Sequence, residues 1–188
     1  MGAALARACI DRGHDVIIVS GPVVIDYPAQ AKVIPVITTD EMLRAAVQQF
    51  ANCDGAIGAA APCDYQPQQV ASQKIAKTGQ SLTIHLIETD DVVATLGQSK
   101  RQGQWVVGFA LETDDRRFRA TVKLEKKHCD LMVSNGPEAI DSLENHVELL
   151  AADGSLVETI DGTKDEVACG IVDQIQRRLI EPSDRTDS

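Results

Sequence analysis

Aromatic side chains make up only 3% of this 188-residue chain. Whatever core it builds must therefore be packed from aliphatic residues. Positive charge is also scarce: 18 Lys and Arg stand against 28 Asp and Glu, a formal net charge of −10 at pH 7. That balance argues against a broad nucleic-acid or anionic-membrane surface, which needs a basic footprint. It leaves room for one small anionic ligand held by a few lysines. The sequence has no CxxC and no Cys/His spacing of a metal site. Cys9, Cys53, Cys63, Cys129 and Cys169 are odd in number and widely spaced, which reads as free thiols in a reducing cytoplasm. No apolar run approaches the roughly 18–20 residues of a membrane span, and Arg12, Gly13 and His14 interrupt the start too early for a signal peptide. There is no internal repeat, low-complexity segment or dividing linker.

What is present is a 44% hydrophobic content, enough for one α/β domain with a substantial core. Residues 2–12 read as a helix stopped by Gly13, and 15–19 as a strand running into Ser20, Gly21 and Pro22. Helix then strand is half of a βαβ unit, without the strand and phosphate-cradling loop that should precede it. Further strands are expected at 32–37, 54–59, 82–87, 105–109 and 130–134, and helices at 39–52, 90–101, 114–128 and 164–179. Thr38 or Thr39 can cap the second helix, with Asp40 and Glu41 in its first turn. Short apolar strands between helices imply a mostly parallel sheet covered on both faces, a Rossmann-like three-layer sandwich. Residues 146–160 add a late β-hairpin around Ala-Asp-Gly-Ser, a candidate edge extension or dimer contact. The expected organisation is a single domain over 1–181 and a polar tail over 182–188.

In a parallel sheet, ligands bind beyond the carboxyl ends of the strands. After 54–59 comes "GAAAPCDYQP": Gly58, Ala59 and Ala60 let a ligand approach the backbone, and Asp64 presents a carboxylate. The alternative is a Pro- and Asp-rich turn. Lys74 and Lys77 follow, either as ligand cations or as solvated charge. Phe109 ends a strand, where a ring stacks on a base or joins the core. Glu112 and Thr113 look like a helix entry. Lys123 and Lys127, at i and i+4, share one helix face and can clamp a triphosphate, or simply suit the helix dipole. Asn135 donates to a ligand or makes a turn.

Taken in order, these motifs closely resemble the phosphopantothenoylcysteine synthetase family in its bacterial, CTP-using form. The resemblance rests on "AAAPCDYQP", on Lys74 in "KIAK", on "GFALET", on Lys123 and Lys127, on "DLMVSN", and on "MGAALARAC…G…VIIVSGPV". It covers nearly the whole chain. It implies that 4′-phosphopantothenate attacks the α-phosphate of CTP through its carboxylate, expelling pyrophosphate. The amine of L-cysteine then displaces CMP from the acyl-cytidylate, on the route to coenzyme A. Mg²⁺ is expected to accompany the CTP. Position by position, Gly58, Ala59, Ala60, Asp64, Lys74, Asp90, Asp91, Val92, Val93, Phe109, Lys123 and Lys127 are expected at the CTP, with Lys74 catalytic and Asn135 a candidate substrate contact. The segment holding Asp90 to Val93 lacks the family's proline.

The resemblance further implies a homodimer, a fused or associated flavin-dependent decarboxylase, and a cytoplasmic location. Family members begin with a strand, a Gly-Gly-Thr turn and an Asn before the Met-Gly at which this sequence starts. The expectation is thus a start at an internal Met, a chain that binds CTP and catalyses weakly or not at all, and strand edges left open beside the missing strand. Two rival readings are an NAD(P)-binding Rossmann reductase, which wants a G-x-G-x-x-G fingerprint the sequence lacks, and a non-catalytic nucleotide-binding domain.

Overall fold

The computed structural model describes residues 1–111, 115–136 and 144–181. The described residues form five helices: α1 (Gly2–Asp11), α2 (Thr39–Phe50), α3 (Val92–Gln98), α4 (Arg116–Lys126) and α5 (Lys164–Ile175), the last continuing as a π turn over Gln176–Ile180. Thr38 and Glu41 close a reciprocal capping box on α2, and Thr163 and Glu166 do the same on α5. Met1 stands at the start of α1 with no side-chain cap bond, and Gly13 ends it in the left-handed region at φ +83°.

The strands are β1 (Ile17–Ser20), β2 (Lys32–Pro35), β3 (Gly55–Gly58), β4 (Tyr65–Pro67), β5 (Leu86–Glu88), β6 (Trp105–Leu111), β7 (Leu131–Asn135), β8 (Glu144–Ala151) and β9 (Leu156–Thr163). The main sheet has the order β3-β6-β7-β8-β9. β3, β6 and β7 run parallel; β8 and β9 are the antiparallel hairpin expected from the sequence. Its turn is held by Asp153, whose Oδ1 accepts from the Ser155 N–H and hydroxyl at 2.9 and 2.6 Å.

Helices cover both faces of this sheet. On one, Leu5 and Ala8 of α1 and Val167, Ile171 and Ile175 of α5 pack on Val107, Leu131, Val133, Val147 and Leu149. On the other, Phe50 of α2, Leu96 of α3 and Ala120 and Leu124 of α4 pack on Val106, Met132 and Leu150. The cores are mainly aliphatic, as the shortage of aromatics requires: Phe50 is buried in one, and Trp105 and Phe109 pack half-buried against the other. Arg12 fastens α1 to α5: its Nε and Nη2 donate to Asp173 Oδ1 at 2.8 and 2.7 Å.

The open strand edges expected from the sequence are present: β1 and β2 form a parallel pair of their own, and among the described residues no strand joins β1 to β3, so each keeps one unpaired edge. One expectation is corrected: the strand expected at 82–87 is shorter, later and elsewhere. β5 pairs antiparallel with β4 in a separate two-stranded arm, and β4 lies in what had read as a turn. The physical reason is visible in "SLTIHL": Leu82, Ile84 and Leu86 alternate with polar residues, the pattern of a half-solvated strand rather than a doubly buried one, and all three are exposed. Asp114, with which the fourth helix was expected to begin, and the helix entry at Glu112 and Thr113 lie outside the described residues, as does the tail over 182–188.

Candidate functional site

The carboxyl end of β3 meets the start of α3. Gly58 is the last residue of β3, and a Cβ there would run into Val93 Cγ2. Glycine at 58 thus lets the strand end and the helix start touch. The chain then bends at once, with the Ala59 N–H donating to the Ile57 carbonyl at 3.2 Å. Ala59 is half-buried against the α1/α5 core and Ala60 is exposed.

Asp91 organises the start of α3. Its Oδ1 accepts from the Ala94 N–H at 3.0 Å, capping the helix. Its Oδ2 pairs with Lys127 Nζ, at the end of α4, at 3.1 Å. Burial pushes the Asp91 carboxyl upward, but the bonds from Ala94 and Lys127 outweigh it and hold the carboxyl below the ordinary carboxylate range. The same two helices touch again one turn on, where a Cβ on Gly97 would collide with the Lys127 carbonyl. Gly58, Asp91, Val93 and Lys127 therefore come together at the carboxyl end of β3, with Val92 buried behind them.

Other expected residues lie around this group rather than in it. Asp90 is exposed just before the cap. Asp64 and Lys74 are exposed on the arm between β3 and α3. The arm is pinned at its base: the Thr89 N–H donates to the Asp64 carbonyl at 2.9 Å and the Thr89 hydroxyl to the Cys63 carbonyl at 2.6 Å. Phe109 is half-buried and packs against the α1/α5 core, on the face of β6 away from α4. Lys123 lies one turn before Lys127, beside a shallow cavity of about 400 Å³ shared with Phe118, Arg119 and Val122. Asn135, half-buried, ends β7. The sequence placed Asp91 in a segment bordering a ligand but missed its double duty as cap and counter-ion. An Asp just before "VVATL" was the available signal for the cap, whereas the bond to Lys127 is non-local.

Among the described residues, no three His, Cys, Asp or Glu side chains gather to hold a metal ion, and no helix is long and apolar enough to cross a membrane. The five cysteines are free; burial raises the Cys129 thiol to about 11, which makes it inert at neutral pH.

Comparison with known proteins adds a lineage to this geometry. Residues 1–179 match the family described as DNA/pantothenate metabolism flavoprotein C-terminal domain. A protein named cysteine/cysteine sulfinic acid decarboxylase, from an unknown prokaryotic organism, is 38% identical over 180 residues, covering 93% of this chain and 50% of that protein. The coenzyme A biosynthesis bifunctional protein CoaBC of Haemophilus influenzae is 34% identical over 181 residues, covering 95% and 45%. The chain thus spans about half the length of these curated relatives. The crystal structure of the C-terminal domain of a coenzyme A biosynthesis bifunctional protein CoaBC superposes with a TM-score of 0.78 at 33% identity, covering 96% of this chain and 82% of that one.

Proposed function

Because the chain belongs to the DNA/pantothenate metabolism flavoprotein C-terminal domain family, we propose that it is the ligase half of a coenzyme A biosynthetic protein, joining 4′-phosphopantothenate to L-cysteine. In this reading residues 1–181 act as one nucleotide-binding synthetase domain. The pantothenate carboxylate attacks the α-phosphorus of CTP, the P–O bond to pyrophosphate breaks, and an acyl-cytidylate forms. The cysteine amine then attacks the acyl carbon and CMP leaves. A carboxylate is a poor acyl donor, so this activation is what the chemistry demands. The protein's task is to position the reactants and neutralise phosphoryl charge.

The observation that carries the reading is the meeting of Gly58, Asp91, Val93 and Lys127 at a strand end. Backbone access at Gly58 and Ala59 suits a nucleotide lying against the chain. Lys127 and Lys123 stand on adjacent turns of one helix face, at the spacing of a phosphate clamp. The Asp91 pair keeps Lys127 placed until phosphate oxygens compete for it. Lys74, on the exposed arm, reaches the phosphates when the arm folds over them, and Asp64 and Phe109 border the nucleoside. Mg²⁺ comes with the triphosphate, which supplies its oxygen ligands; the described residues offer it no cage. A homodimer through the β8–β9 hairpin, a fused decarboxylase and a cytoplasmic location belong to the same reading, the fusion supported by the bifunctional relatives.

The test is thermal unfolding with Mg²⁺ and CTP, ATP or NADP⁺. Ligand at about a hundred times its Kd adds roughly 2.7 kcal/mol, which for a chain of this size raises the Tm by roughly 5–10 °C. A shift selective for CTP is expected, reduced more by Lys74→Gln than by Lys77→Gln. A shift with NADP⁺ alone favours a reductase, and equal effects of the two lysines remove Lys74 from the site.

A further inference from the structure

A second group of polar side chains lies between α4 and the β7–β8 pair. Ser134 on β7 stands directly opposite Glu148 on β8. Val147 and Leu149 face the α1/α5 core, so strand alternation turns His146 and Glu148 toward α4. Arg117, in the first turn of α4, donates from Nη2 to Glu148 Oε1 at 2.8 Å. His146 is held from β9, its Nδ1 2.6 Å from Asp161 Oδ1. Arg117, Ser134, His146 and Glu148 line a cavity of about 350 Å³, at the small end of ligand pockets.

Ser134 is only 3% exposed, and among the described residues its hydroxyl has no hydrogen-bond partner. A buried hydroxyl in that state is costly and calls for a partner. At the start of α4, Asp115 makes no side-chain cap bond and the first turn holds no acidic residue. The cavity therefore presents a guanidinium with further donors, a hydroxyl, and a carboxylate with a second oxygen. A simple oxyanion would be repelled by Glu148, and a simple cation by Arg117. A molecule carrying both charges satisfies both.

We propose that this cavity binds an α-amino acid as its zwitterion, the carboxylate taken by Arg117 and Ser134 and the ammonium by Glu148. That the amino acid is L-cysteine rests on the ligase reading above; the charge pattern does not. Such a site holds the acceptor amine in the chain that prepares the acyl donor.

Isothermal titration calorimetry on the full chain without nucleotide tests it, with L-cysteine, 3-mercaptopropionate (no ammonium) and cysteamine (no carboxylate) as probes. L-cysteine is expected to bind at one saturable site, with both analogues about tenfold weaker or worse. Arg117→Gln, Glu148→Gln and Ser134→Ala are each expected to weaken it about tenfold, while Lys77→Gln does not. Melting curves of the variants, all expected to match the parent, separate lost binding from lost folding. No saturable binding, equal binding of the analogues, or indifference to all three substitutions overturns the site. A parallel CTP titration keeps the two readings apart: amino-acid binding without CTP binding supports the cavity and sinks the ligase, and the converse does the reverse.

Discussion

One carboxylate, Asp91, does two things, and they can be separated by substitution. Asp91→Asn keeps a good helix cap but loses the pair with Lys127; Asp91→Ala loses both. The pair is half-exposed, so its loss at pH 7 should cost at most about 1 kcal/mol, with about 1 kcal/mol more for the missing cap. The folded carboxyl sits below its unfolded value. Its contribution is therefore complete above the ordinary Asp value, about 4, and disappears as pH falls through the lower folded value. Denaturant titrations of the parent and Asp91→Asn should differ at pH 7 and draw together as the pH falls below the ordinary Asp value. A difference that persists in acid means the charge is not what Asp91 supplies. At this scale the sequence was informative about residue types and blind to pairings. Gly58 and Lys127 could be singled out because small residues and helix-spaced lysines are local patterns. The Arg117–Glu148–Ser134 cavity could not, because its members come from a helix and two strands that only tertiary structure juxtaposes.

At the scale of elements, the contact between the end of β3 and α3 is a steric lock. Gly58→Ala places a methyl against Val93 Cγ2, and overpacking of this kind costs about 1–3 kcal/mol. Removing the obstacle with Val93→Ala should relieve most of that, so the double-mutant cycle in urea should show a coupling of at least about 0.5 kcal/mol. Additive effects would mean that the strand end and the helix move independently. Helices were the legible elements: a threonine ahead of Asp40 and Glu41 signals α2 by chemistry that acts within one turn, and the capping boxes on α2 and α5 emerge in the structure. β4 and β5 were not, since alternating apolar residues state that a strand is half-exposed but not which strand it joins.

For the molecule as a whole, the alternation of apolar strands and helices was enough to indicate three layers, and both faces of the main sheet are indeed covered. The open edges that divide the sheet were expected only through the family resemblance, since a strand's own sequence does not name its neighbours. That division sets a hierarchy of stability. Among the described residues β1 and β2 pair only with each other; β1 is mostly half-buried and β2 mostly exposed, whereas β6 and β7 are buried over most of their length. Amide hydrogen exchange should show β1 and β2 opening well below the global unfolding free energy, and β6 and β7 only with it. Equal protection of β1 and β7 would indicate that the two pieces of sheet unfold as one.

The two hydrogen bonds from Thr89 to Cys63 and Asp64 have a topological consequence. They close the arm into a loop whose ends are fixed whatever its contour does. Doubling the length of such a loop adds only about 0.6 kcal/mol of closure entropy. Residues 68–73, exposed and outside any strand or helix, are therefore where the chain tolerates inserted sequence, such as a tether or an epitope, with every packed layer left in register.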